Sequence, residues 1–174
     1  RYQLIRARVQ LQYEDTPGLA AKRFQAQLDE NPKNDVARYG LAIAQIKGSQ
    51  FKQARENLAP LLAKAPNDIT YNLAQIQLDI DNSRLPDAQQ RTDRMLTQYP
   101  GNYPLNQMRV DLLLKQNRTA DAEKALDSLL KSRPDDPDVW YQVAETRGLS
   151  GNIIGLHQAR AEYFALVGDF QQAI

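Results

Sequence analysis

The sequence predicts an all-α protein, a solenoid-like stack of about ten helices paired as antiparallel hairpins. Three observations carry that prediction. Prolines recur every 34 residues at Pro32, Pro66, Pro100 and Pro134; alanines keep the interval at Ala20, Ala54, Ala88 and Ala122, and leucines at Leu28, Leu62, Leu96 and Leu130. Between the prolines, apolar residues fall three or four apart, the spacing of one helix face. The 174 residues include only 8 glycines and 7% aromatics, with Ala, Leu and Gln plentiful, a composition suited to helix.

The elements follow in order. Leu4, Ala7 and Leu11 mark a first helix, which "YEDTPG" interrupts; Thr16 is placed to cap the next helix and Pro17 suits its first turn. The second helix carries Ala20, Phe24 and Leu28, and Pro32 disfavours helix in the residue before it. In the second copy, Leu41 and Ala42 lie before a "KGSQ" turn, and Phe51, Ala54, Leu58 and Leu62 after it; Pro60 is expected to kink that helix. The recurring alanine fits a crossing where two helices approach closely. Repeats are thus read at 1–34, 35–68, 69–102 and 103–136 within a single domain spanning 1–174. Turns are expected near 14–17, 31–34, 48–50, 65–68, 82–85, 100–103, 117–119 and 134–137.

Beyond residue 136 the phase breaks, giving an off-phase fifth unit and a partial sixth over 137–174. "DVWYQVAETRGLSGN" holds Trp140 and a turn at Ser150, Gly151 and Asn152, but Leu156 occupies the slot of the repeating alanine. A helix over about 153–167 is expected to serve two hairpins, with a turn at Gly168 and Asp169. Both ends of the chain fall inside helical patterns, which suggests a piece of a larger protein.

Composition excludes several functions. Lys+Arg total 22 against Asp+Glu 21, so there is no broad basic field for nucleic acid. The Arg1, Arg6, Arg8, Lys22 and Arg23 cluster reads first as solvated surface and second as a docking patch. With no cysteine there is neither a disulfide framework nor a thiolate metal site. No signal peptide is visible, and no apolar run approaches a membrane span. His157, the single histidine, shares a helix face with Ala161 and Phe164 and reads as a packed or half-exposed residue. No HExxH pair, phosphate-cradling loop or nucleophile–base pairing exists, and "PDDPD" reads as a helix start with Asp136 and Asp138 near an N-terminus. The segment is expected to be non-catalytic, with no catalytic or metal residues and no cofactor of its own.

The 34-residue period with its alanine, aromatic or leucine, and proline slots resembles the tetratricopeptide-repeat family over residues 1–136. Ile76 and Val110 stand where that family usually has a small residue, and Gln75 and Arg109 where it usually has leucine, so those helices are expected to sit rotated or further apart. The resemblance implies that first helices line a concave protein-binding groove. Projected at 100° per residue, the groove positions are Ile5, Val9 and Gln12, then Tyr39, Ile43 and Ile46, then Leu73, Gln77 and Ile80. Gln107, Asp111 and Leu114 follow in the fourth copy, and Tyr141 and Glu145 in the fifth. Two readings stay open: an apolar trough for a polypeptide segment, or packing between neighbouring first helices. On the first, Tyr39→Asp with Ile43→Asp would weaken capture and leave the helices folded. The groove lacks the Lys/Arg and Asn set that clamps a terminal carboxylate in chaperone-binding members.

A narrower resemblance rests on "LHQARAEYFALVGDFQQAI" following the Trp140 helix. The sequence is similar to the C-terminal repeat domain of the bacterial periplasmic zinc metalloproteases that enhance β-barrel assembly. That resemblance implies a periplasmic setting and a zinc-bearing protease domain outside these residues. It implies as partners the outer-membrane β-barrel assembly machinery, immature barrels including the lipopolysaccharide-transport barrel, and the protein's own protease domain. Two roles follow: an interaction domain recruiting assembling barrels, or a structural domain that packs on the protease and limits access to its active site.

Overall fold

The computed structural model describes Leu4, residues 16–169, Gln171 and Gln172. Among the described residues there are nine complete helices and no strand. They are α1 (Pro17–Glu30), α2 (Asp35–Lys47), α3 (Phe51–Lys64), α4 (Ile69–Asp81), α5 (Leu85–Gln98), α6 (Tyr103–Lys115), α7 (Thr119–Ser132), α8 (Pro137–Leu149) and α9 (Ile153–Val167). The expected turns from 31–34 onward fall between these helices; the expected first helix lies largely outside the described residues.

Two local devices, each repeated every 34 residues, set the boundaries. Two positions after each repeat proline, a short polar side chain caps the next helix: Asn34 accepts from the Ala37 N–H, Asp68 from Thr70 and Tyr71, Asn102 from Leu105, and Asp136 from Asp138. The turns inside the hairpins use a left-handed residue instead. Ser49, Ser83, Asn117 and Gly151 have φ of 57°, 56°, 57° and 77°. The next N–H then reaches back five residues, as in Gln50 N to Gln45 O at 2.8 Å and Arg84 N to Asp79 O at 2.7 Å. Thr16 does sit at the N-cap of α1, but its side chain makes no capping bond. The kink expected at Pro60 does not break α3, which runs unbroken to Lys64 with Pro60 on its exposed side.

The described residues divide into two compact units between Gln98 and Tyr99. In the first, α2 pairs with α3 and α4 with α5, while α1 packs on α2 and α3 on α4. Its core includes Ala20, Phe24, Tyr39, Leu58, Leu61 and Leu78. In the second, α6 pairs with α7 and α8 with α9, around Val110, Leu113, Leu126, Val143 and Ala159.

The repeating alanines lie where the spacing places them: Ala20, Ala54, Ala88 and Ala122 are all at most 1% exposed. The leucine series behaves differently. Leu28 is buried, but Leu62, Leu96 and Leu130 are only half-buried, and the preceding Leu61, Met95 and Leu129 take the core position. Ile76 and Val110 are accommodated with no exposure at all. Gln75, also buried, donates to Asp79 at 2.9 Å, and Asp79 in turn accepts from Arg55, so the polar pair is satisfied inside the unit. In the α8–α9 hairpin the tight position is Gly155, not Leu156. A Cβ at Gly155 would lie 2.8 Å from the Arg147 Cδ, whereas Leu156 is half-buried.

Candidate binding surface

The positions projected onto a groove separate into two groups by environment. Ile5, Val9 and Gln12 lie outside the described residues. In the first unit, Tyr39, Ile43, Ile46, Leu73 and Ile80 are all under 9% exposed. Tyr39 shows the cause: its ring meets that of Tyr71 at 5.8 Å between centroids, across the face where α2 meets α4. Gln77 is half-buried and donates to Asp81. These apolar side chains are therefore buried rather than open, Tyr39 against Tyr71 of the following first helix, and the expected open trough does not exist at them. The expectation that Tyr39→Asp with Ile43→Asp would leave the fold intact is corrected with it, since either carboxylate would enter the core without a partner.

The second unit leaves its positions more open. Gln107 is half-buried and donates to the Tyr103 hydroxyl, and Leu114 packs against the core. Asp111 is exposed by area, yet its carboxyl is desolvated enough by the neighbouring surface to raise its pKa, with Lys115 opposing the shift. Tyr141 is 50% exposed, and Glu145 is exposed one helical turn further along α8.

Tyr141 and Glu145 are brought together with residues that the repeat register does not reach. With Ala144 they line one wall of a cavity of ≈ 170 Å³, and Arg160, Tyr163 and Phe164 of α9 line the other. The Tyr141 and Tyr163 rings lie 5.6 Å apart, and Tyr163 meets Phe164 edge-on at 5.2 Å. Glu145 and Arg160 stand at this aromatic recess and join none of the ion pairs among the described residues. The chemistry suits one aromatic or branched apolar side chain, flanked by an acceptor and a donor for its neighbours.

The surroundings are also apolar. Leu149, Ile153 and Ile154 are 69%, 56% and 76% exposed around the α8–α9 turn, while Leu166 and Val167 are exposed at the other end of α9. Only Gly155 and Ala159 of that helix are buried. The signal for this surface was present in the sequence as an apolar helix carrying the adjacent pair Tyr163 and Phe164; a register copied forward from the first repeats passes over it.

The sequence profile of the tetratricopeptide repeat matches residues 13–78 and 79–145. The chain belongs to the tetratricopeptide-repeat family. Solved structures of the family share its fold. A thermophilic tetratricopeptide-repeat protein of Thermus thermophilus is 22% identical, with a TM-score of 0.76 over 99% of this chain and 97% of that one. A tetratricopeptide-repeat protein from Parabacteroides merdae is 12% identical, with a TM-score of 0.79 over 98% and 69%. The widely conserved type IV pilus biogenesis factor PilW is 20% identical, with a TM-score of 0.75 over 99% and 87%. No curated protein matches the sequence.

Tetratricopeptide-repeat domains serve protein–protein interaction and are typically non-catalytic. Among the described residues no three His, Cys, Asp or Glu side chains gather, and His157 is exposed on α9. No described helix is long and apolar enough to cross a membrane.

Proposed function

We propose that this chain is the partner-recruiting domain of a periplasmic chaperone and zinc metalloprotease of the β-barrel-assembly-enhancing type (BepA). Its partners are the outer-membrane β-barrel assembly machinery and immature barrels, the lipopolysaccharide-transport barrel among them. The aromatic recess between α8 and α9 is the observation that carries this reading. An unassembled barrel strand exposes apolar side chains on alternate positions, with aromatic residues near the strand ends. One such side chain would fill the recess, contributing about 1.5–3 kcal/mol before the costs of ordering. Glu145 and Arg160 would pair with flanking polar or charged groups of the strand. The resemblance to the protease family rests on this same stretch, the Trp140 helix and the segment from Leu156 onward. Zinc and proteolysis belong to a protease domain outside these residues.

A second reading has its own support. The aliphatic cluster of Leu149, Ile153 and Ile154 is the chemistry of a domain-docking face, and would let this chain pack on its protease domain and limit access to the active site. Site-specific photocrosslinking in the full-length protein distinguishes the two, with probes at Tyr141, at Ile154 and at exposed Lys52 as control. Barrel proteins or assembly-machinery subunits trapped from Tyr141, and lost on Tyr163→Asp in a folded protein, are expected on the first reading. Intramolecular crosslinks from Ile154 alone would favour the second. Equal capture from Lys52 would remove the recess from consideration.

A further inference from the structure

The first unit holds another recess with different chemistry. Arg55 of α3, Asp79 of α4, Arg84 and then Asp87, Arg91 and Arg94 of α5 line a cavity of ≈ 260 Å³. Four guanidiniums face two carboxylates there, an excess of two positive charges. Both carboxylates are already engaged: Asp79 accepts from Arg55 at 2.9 Å and from Gln75, and Asp87 accepts from Arg84 at 2.6 Å. Among the described residues, Arg91 and Arg94 form no direct ion pair with a carboxylate. They share one neutral acceptor, the Asn72 Oδ1, at 3.0 and 3.2 Å. The Arg91 Nε is closed off from solvent and donates to no protein acceptor. Desolvation, and then the charge of Arg94, hold the Arg91 pKa below the usual arginine value, although Asp79 and Asp87 oppose the shift.

Like charges crowded at a partly desolvated site, with donors left over, are an unfavourable arrangement unless an anion completes it. Arginine forks match the oxygens of a phosphate group two at a time. The cavity is smaller than a drug-sized pocket, and no aromatic side chain lines it to stack a base. We propose that this cavity binds a doubly charged oxyanion of the phosphate type, held by Arg91 and Arg94 with Arg55 and Arg84 at its edge. The oxyanion is either free phosphate or the terminal monoester of a small molecule, since both present the same oxygens. This site is independent of the aromatic recess and of any barrel partner.

Titration of the folded chain with inorganic phosphate at constant low ionic strength tests it, read by the arginine Nε–H resonances. The Arg91 and Arg94 signals are expected to shift along one saturable curve. Arg91→Gln and Arg94→Gln should each weaken binding about tenfold or more. Arg94→Lys, which keeps the charge and loses the fork, should weaken it less and serves if the glutamine variants do not fold. Arg118→Gln, at an exposed pair in the second unit, should leave it unchanged. Glycerol phosphate binding more tightly than phosphate would mark a monoester site, and the reverse a site for the free ion. A non-saturating shift, a uniform shift of all arginines, or acetate acting as well as phosphate would overturn the proposal.

Discussion

The Trp140 indole Nε1–H donates to the Pro134 carbonyl at 2.7 Å. The same acceptor is filled in every described copy by the side chain six residues on. Arg38 donates to Pro32 O at 2.8 Å, Asn72 to Pro66 O at 2.9 Å, and Asn106 to Pro100 O at 2.9 Å. Three residue types thus tie the turn before each first helix to that helix. Trp140→Phe keeps an aromatic ring against the core but removes the donor and the second ring of the indole, and should cost about 1–2 kcal/mol in a denaturant melt. Asn72→Ala should cost more, about 3 kcal/mol, because buried Asn72 also accepts from Arg91 and Arg94. Equal losses would mean that the turn bond is the only one of these contributing.

Ser49 and Ser83 hold left-handed backbone that glycine adopts without strain. Ser49→Gly or Ser83→Gly should therefore stabilise the protein by about 0.5–1 kcal/mol. Gly151→Ala should do the opposite by about 1 kcal/mol through conformation alone, since a Cβ there meets nothing within 4 Å. Thermal melts showing no opposition in sign would contradict the assignment of these turns.

A Cβ at Gly40 of α2 would stand 2.5 Å from the buried Phe24 ring of α1. Helix propensity favours Gly40→Ala by about 1 kcal/mol, but overpacking against the ring should outweigh it and leave a net loss of about 1–2 kcal/mol. In a Phe24→Leu background the same change should cost less. Ala54→Leu and Ala88→Leu belong with it and should cost about 1–3 kcal/mol each, while exposed Lys52→Ala stays near neutral. A stabilising Gly40→Ala would show that α1 and α2 are free to separate.

Tyr71 has its pKa raised above 10.0, first by burial and then by Asp35 and Asp68. The folded state thus holds the phenolic proton more tightly than the unfolded chain. Its contribution is complete below pH 10.0, the ordinary value, and is lost as pH rises through the folded pKa. Stability should fall more steeply with pH above that value in the parent protein than in Tyr71→Phe. Parallel curves in alkaline denaturant titrations would contradict it.

Short-range signals in the sequence determined the period, the helices and their turns. Pro32, Asn34 and their successors act within a few residues, so each copy states its own boundaries, and the alanine slot follows because two helices of one hairpin are close along the chain. The exposure of side chains was another matter. Tyr39 and Tyr141 stand three repeats apart on equivalent faces of first helices, yet one is buried and the other 50% exposed. The difference lies in what each ring meets: for Tyr39 the Tyr71 ring of a following first helix, for Tyr141 a recess walled by Tyr163 and Phe164 of its own hairpin. Likewise Arg55 lies far along the chain from Arg91 and Arg94, and the three become one charged cavity only when α3, α4 and α5 pack. Helix formation is governed by neighbours along the chain, whereas burial and charge clustering depend on residues brought together from distant turns, and only the tertiary structure decided those.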